Sequence, residues 1–207
     1  MIFSVSSQYP DRAPVRWDIS TDLCAEIKTT EEFNMSQKSN AARTLVTAAL
    51  IAAAYAALTY VSAAMGLAYG EVQFRLSEAL CVLAAFTPAA IPGLTIGCVL
   101  GNITSPLGIA DIVFGAAATL LSAVAVRVIA KYCGKATPFL SVLPPTVINA
   151  VIVGAEIVYL TSPEGSLSAA LFWATALSVA AGELAVTAAL GIPFYYCVER
   201  IAPKIFK

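Results

Sequence analysis

The chain has 207 residues, 59% of them apolar and 12% charged, with a net charge of −1 and no histidine. Soluble domains carry about 25% charged residues, so with a mean hydropathy of +0.81 this composition reads as an integral membrane protein. So few Lys and Arg assemble no basic face for nucleic acid, and the lack of imidazole excludes His-based triads, His proton shuttles and imidazole zinc sites. The five cysteines (Cys24, Cys81, Cys98, Cys133, Cys197) form no CxxC and imply neither a metal knuckle nor a disulfide framework. No metal and no cofactor is expected.

Residues 1–34 stand apart. Asp11, Asp18, Asp22, Glu26, Glu31 and Glu32 outnumber Arg12, Arg16 and Lys28, and no apolar run is long enough for a signal-peptide core. The segment reads as a disordered acidic tail, or as sequence upstream of a true start at Met35; an intact-mass measurement decides between them. Residues 35–207 read as one membrane domain. Its first apolar segment is Thr44 to Tyr69, long enough to span under the rule of about 20 residues per crossing. The uncharged run Ala79 to Ala110 is divided by Thr87-Pro88-Ala89-Ala90-Ile91-Pro92-Gly93, a turn signal. It gives a second helix near 76–87 and a third near 91–104, both short. The fourth is expected over 109–131, the fifth over 146–160 and the sixth over 166–190, where Gly191-Ile192-Pro193 bends the chain into a final segment. Six spans are expected; four, with the second and third segments fused or re-entrant, is the alternative.

Charge placement favours six spans with both termini cytoplasmic. Lys38, Arg43, Arg127, Lys131, Lys135, Arg200, Lys204 and Lys207 then lie inside and only Arg75 outside, the asymmetry of the positive-inside rule.

Acidic residues in or beside the spans are Glu71, Glu78, Asp111, Glu156, Glu164 and Glu183, with the amides Asn102 and Asn149. At mid-bilayer an acidic side chain costs about 2.5–3.5 kcal/mol, so such residues persist by pairing, lining a cavity or lying near an interface. Glu78, Asn102, Asp111 and Glu156 fall at outward helix ends and are expected to ring a pocket opening to the exterior, with Glu183 and Asn149 as its floor. Asn149 and Glu156, seven apart, share a helical face, as do Phe172 and Glu183, eleven apart. Simpler roles exist for some: Glu78 pairing with Arg75, Asp111 as the N-terminal charge of its helix, Asn102 as a C-terminal cap. Two stripes of small residues complete the inventory. Gly93, Gly97 and Gly101 permit close helix approach and are expected to pack internally. Ala48, Ala52 and Ala56, with the parallel Ala49, Ala53 and Ala57, give the first helix a flat surface suited to docking another membrane protein.

The stretch Tyr69-Gly70-Glu71-Val72-Gln73-Phe74-Arg75-Leu76-Ser77-Glu78-Ala79-Leu80 resembles the "QFR-SEAL" signature of the QueT family, substrate-binding S components of energy-coupling factor (ECF) transporters associated with queuosine precursors. Ile91 to Cys98, Gly101-Asn102-Ile103, Gly108 to Gly115, Pro145 to Ala150, Val153 to Glu156 and Gly182-Glu183 continue the likeness in order, from Met35 to the C-terminus. The resemblance implies a six-transmembrane-helix S-component bundle in the cell membrane that takes a 7-deazaguanine (preQ0, preQ1 or queuine) from outside. It implies partners: a transmembrane scaffold protein, met through an AxxxA face such as Ala48/Ala52/Ala56, and two ATP-binding subunits. The chain itself has no GxxxxGK[ST], so energy for uptake must come from a partner.

Such a base presents two N–H donors beside a carbonyl. One carboxylate accepts both donors while an amide serves the carbonyl; Glu78 or Glu183 is expected on that edge, with Asn102, Asp111, Asn149 and Glu156 as further polar contacts. A cationic aminomethyl group, as in preQ1, wants a second carboxylate. Phe74, Phe114, Tyr159, Phe172 and Trp173 are available to flank the ring, and Gln73 and Arg75 shape an outer lid. The competing readings are an S component for another vitamin, since fold does not fix ligand, an intramembrane enzyme using paired carboxylates, and a ligand-free membrane scaffold.

Overall fold

The computed structural model describes residues 19–68, 73–162 and 168–205, with side chains over 37–68, 73–162 and 168–202. Glu71 and Glu164 lie outside the described residues. The chain divides into two units, Met1–Ala42 and Arg43–Lys207. In the first, residues 1–18 lie outside the described residues, and the backbone is helical from Ile19, where helix α1 (Ile19–Ala64) begins. Half of the segment read as a tail is therefore the start of a helix.

In the second unit α1 ends with Gly66 at φ 72°, Leu67 N–H donating to Ser62 O at 2.9 Å and Gly66 N–H to Ala63 O at 2.9 Å. This Schellman closure needs a residue free to adopt a left-handed backbone, hence glycine. A 3₁₀ helix follows at Leu76–Ala85, then α2 (Ala90–Gly101) with a 3₁₀ turn at Asn102–Thr104, α3 (Ile109–Tyr132), the short α4 (Thr137–Leu140), α5 (Leu143–Thr161), α6 (Ala169–Val186), a π-helical turn at Thr187–Gly191, and α7 (Ile192–Ile205). No strand occurs among the described residues.

Four of these stretches are long and apolar enough to cross a membrane: Gln37–Ala64, Ile109–Tyr132, Gly134–Thr161 and Ala169–Ala202. The second and third apolar segments are shorter helices, Leu76–Ala85 and Ala90–Thr104. At about 2.0 Å of rise per 3₁₀ residue and 1.5 Å per α residue, neither reaches across a hydrocarbon core of about 30 Å. The six helices expected from the sequence are present as four long apolar helices and two short ones. At Gly191-Ile192-Pro193, where a bend was expected, the helical backbone is continuous: α6 runs through the π turn into α7. Pro193 would leave the carbonyl four residues back unbonded and crowded by its ring, and a widened turn absorbs that defect without a break.

The 3₁₀ helix is enclosed, with Ser77 to Ala84 all buried. Its N-terminus is tied to α1, Leu76 N–H donating to Ser62 Oγ at 3.0 Å and Thr59 Oγ1 to Ser77 Oγ at 2.9 Å. At its other end Arg127 of α3 donates through Nη1 to Ala85 O at 3.0 Å, a cation on carbonyls that the helix itself leaves unbonded. Ten residues of 3₁₀ helix is long for that geometry; packing on all sides holds it. The outer surface is lipid-like, with Leu45, Ile109, Leu50 and Trp173 exposed.

The glycine stripe of α2 packs internally, as the sequence indicated. A Cβ at Gly93 would lie 2.7 Å from Ala48 O, and one at Gly97 would lie 2.7 Å from Tyr55 Cβ and 2.8 Å from Ala52 O. The face it packs against is the alanine stripe itself: Ala48, Ala52 and Ala56 are buried. The expectation that these three present a docking surface is corrected, because the α2 backbone already occupies that side. Ala49, Ala53 and Ala57 are the exposed alanines.

Gly97→Val places a branched side chain against the α1 backbone, which cannot yield as a flexible side chain would. Overpacking of this kind costs about 1–3 kcal/mol, so the melting temperature in detergent should fall by several degrees, while Ala53→Val leaves it unchanged. Equal melting temperatures for the two variants would contradict this packing.

Candidate ligand-binding site

The polar residues singled out in the sequence converge. Gln73, Arg75, Glu78, Asn102, Asp111, Asn149, Glu156 and Glu183 are each at most 5% exposed, and they come from α2, α3, α5, α6, the 3₁₀ helix and the segment preceding it. Asp111, at 1% exposure, stands in the first turn of α3. Arg75 Nη2 donates to Asp111 Oδ1 at 3.1 Å and to Oδ2 at 3.3 Å, and its Nε to Ala68 O at 3.5 Å. Arg75 is therefore paired with Asp111, 36 residues away, and not with Glu78, the local partner its spacing offered. Asn102 closes α2 as its C-cap residue, and its amide donates through Nδ2 to Asp111 O at 2.8 Å. Gly115 makes room for that amide, since a Cβ there would lie 2.5 Å from Asn102 Nδ2.

Glu78 is held on both oxygens: the Tyr55 hydroxyl donates to Oε1 and the Cys81 thiol to Oε2 at 3.1 Å. The 3₁₀ geometry makes the second contact, because residues three apart eclipse in that helix. Thr119 Oγ1 lies 3.5 Å from the Tyr55 hydroxyl. Sequence reasoning passed over Tyr55, Cys81 and Thr119. The signal for Tyr55 was a tyrosine flanked by alanines in the middle of a membrane helix, where its O–H needs a buried partner.

Glu183, Asn149 and Glu156 are different. Among the described residues the buried side-chain polar atoms without a hydrogen-bond partner are Ser122 Oγ, Asn149 Nδ2, both carboxylate oxygens of Glu156, and Glu183 Oε2. All but the first belong to α5 and α6. Glu183 lies in the electrostatic reach of Glu78 and Arg75 and in side-chain hydrogen-bond reach of Asn149, and Glu156 lies in the electrostatic reach of Asp111 and Arg75, so the three adjoin the same cluster. Each unsatisfied buried group costs about 1–3 kcal/mol, more when charged, and such groups call for a missing ligand, water or ion. A cavity of about 590 Å³ opens between α3 and α5, lined by Ala110, Phe114, Val151, Ile152, Ala155, Glu156, Tyr159 and Leu160. Its volume is within the range of about 300–1,000 Å³ of small-molecule sites, which combine apolar walls with few polar groups.

Gln73 is buried at the edge of the cluster. Its backbone lies against Gly182, where a Cβ would collide with the Gln73 carbonyl, so the segment before the 3₁₀ helix is seated on α6 next to Glu183. Phe172 is half-buried and set edge-on to the exposed Trp173, ring centroids 5.2 Å apart. No group of three or more Cys, Asp or Glu positioned for a metal ion occurs among the described residues.

Among the described residues an all-helical fold with four membrane-length apolar helices and a buried ion pair is that of a membrane protein. The family model described as "QueT transporter" matches residues 45–200, and the chain belongs to the QueT family. It is 38% identical over 77 residues to the queuosine precursor transporter QueT of Lactococcus lactis subsp. cremoris (strain MG1363), a stretch covering 37% of this chain and 45% of that protein. The aligned part is thus less than half of that relative's length. No solved structure matches the chain. The family is one of transporters, not enzymes.

Removing one partner of a buried ion pair strands the other, at about 3–5 kcal/mol, whereas replacing both by apolar groups is far less costly. Arg75→Met should therefore destabilise the protein severely in detergent melts, and Arg75→Met/Asp111→Leu should recover most of the loss. A double variant no more stable than the single one would show that the pair does not govern this site.

Proposed function

We propose that this protein is the substrate-binding S component of an ECF-type transporter, taking up a 7-deazaguanine queuosine precursor from outside. The observation that carries the reading is the buried pair Glu183 and Asn149, within side-chain hydrogen-bond reach of one another, in which Glu183 Oε2, an acceptor, and Asn149 Nδ2, a donor, have no close, well-aligned partner. A deazaguanine edge is their complement. Its adjacent N–H donors meet the Glu183 carboxylate and its carbonyl takes the Asn149 amide, the charge-assisted and bidentate arrangement that binds most strongly. Between the two carboxylates the sequence left open, this favours Glu183, since both oxygens of Glu78 are already engaged within the protein. Glu78, Asn102, Asp111 and Arg75 then form the rigid wall that orients the site, with Gln73 and the segment around it as the outer cover.

In this reading both termini are cytoplasmic, and the motive energy comes from a transmembrane scaffold protein with two ATP-binding subunits. Family membership supports it, together with the lack of a phosphate-binding GxxxxGK[ST] loop in the chain. The α1 surface left for the scaffold is the exposed side bearing Ala49, Ala53 and Ala57.

Glu183→Gln should weaken 7-deazaguanine binding at least tenfold, equivalent to about 1.4 kcal/mol, whereas Glu78→Gln should lower thermal stability with a smaller effect on affinity. Titration of the purified proteins in nanodiscs measures both; unchanged affinity in Glu183→Gln would remove that residue from the site. Ala53→Leu should abolish co-purification with the scaffold and leave ligand affinity intact. Normal co-purification would place the scaffold on another face.

A further inference from the structure

The cavity between α3 and α5 has one ionisable residue in its wall, Glu156. That side chain is 5% exposed, and both its oxygens lack a hydrogen-bond partner. An ionised carboxylate in such a place is costly unless a cation meets it. Arg75 lies in the electrostatic reach of Glu156, but its hydrogen bonds go to Asp111, and among the described residues of the cluster it is one guanidinium beside the four carboxyl groups Glu78, Asp111, Glu156 and Glu183. Of these four, Glu156 is the one that lines the cavity.

Position sharpens the point. Asn149 and Glu156 lie on one face of α5, two helical turns apart, about 10 Å along the axis. That separation is comparable with the length of a bicyclic base bearing a short arm. A base whose edge rests on Asn149 and Glu183 would direct the opposite end of the molecule toward Glu156, between the aromatic walls Phe114 and Tyr159, whose ring faces also favour a cation. We infer that Glu156 is the specificity-determining residue for the arm: it is the counter-charge of a protonated amine, and the protein selects a 7-deazaguanine with a cationic aminomethyl group over one with a neutral substituent at that position. The inference rests on the base-edge roles given to Glu183 and Asn149.

The test compares 7-aminomethyl-7-deazaguanine with 7-cyano-7-deazaguanine by equilibrium titration of the full chain in nanodiscs. The wild type should prefer the amine at least tenfold. Glu156→Gln should erase that preference while binding the nitrile within about twofold of wild type, which also shows that the variant is folded; Glu156→Asp, which keeps the charge, should retain a preference for the amine. A wild type without preference, or a preference that survives Glu156→Gln, overturns the inference and leaves the base-edge reading standing. Loss of both ligands in Glu156→Gln also overturns it, because a counter-charge to the arm makes no contact the nitrile needs. If the wild type binds neither ligand, the base-edge reading fails and the inference goes with it.

Discussion

Hydrocarbon offers no hydrogen bonds, so every polar group drawn inside a membrane protein must be satisfied by the protein itself or by what the protein holds. In this chain the constraint acts first on Arg75. A guanidinium cannot shed its charge, and this one is buried at 2% exposure. It is kept there by Asp111 at the start of α3, and the elements around it are arranged to keep that aspartate in place. Asn102, at the end of α2, anchors the Asp111 carbonyl, Gly115 leaves the space the amide occupies, and the residues before Arg75 lie on α6 at Gly182. One ion pair thus joins the segment after α1 to α2, α3 and α6.

The same constraint separates structural from ligand-directed charges. Glu78 would qualify as a site residue on chemistry alone, yet Tyr55 and Cys81 occupy both its oxygens. Glu156, Glu183 and Asn149, on α5 and α6, retain unsatisfied atoms, and Glu156 lines the cavity. A polar network that is only partly satisfied is worse for stability than an apolar core. Leaving such groups on two adjoining helices makes physical sense when a bound molecule completes them.

Much of this was legible in the chain. The membrane class follows from composition, and the buried acids were identifiable because lipid excludes them unless they have work or a partner. The register of seven between Asn149 and Glu156 put them on one face before any fold was known. Other parts were not legible for physical reasons. Arg75 had a partner three residues away in Glu78, and local spacing carries no trace of Asp111, whose approach depends on how α3 meets the 3₁₀ helix. Ala48/Ala52/Ala56 and Ala49/Ala53/Ala57 are equivalent as patterns: alanine has no polarity to mark which side faces inward, and the choice is made by the glycine ridge of α2. The 3₁₀ winding of Leu76–Ala85 escapes any periodicity argument because, after Ser77 and Glu78, the segment is an unbroken apolar run with no polar face, as an enclosed helix has none.

The two short helices bear on topology in a way that makes the charge argument robust. A hairpin that dips into the bilayer and returns leaves the chain on the side where it began, and two complete crossings do the same. Leu76–Ala85 and Ala90–Thr104, joined at Thr87-Pro88, therefore contribute an even number of crossings where both cross or where the pair turns back together. Four long helices crossing in turn would then return Arg200 to the side of Arg43. Lys131 and Lys135, between α3 and α5, share that side too. In the proposed orientation the asymmetry of basic residues depends on the parity of the crossings rather than on their number, so short second and third helices are compatible with both termini on one side.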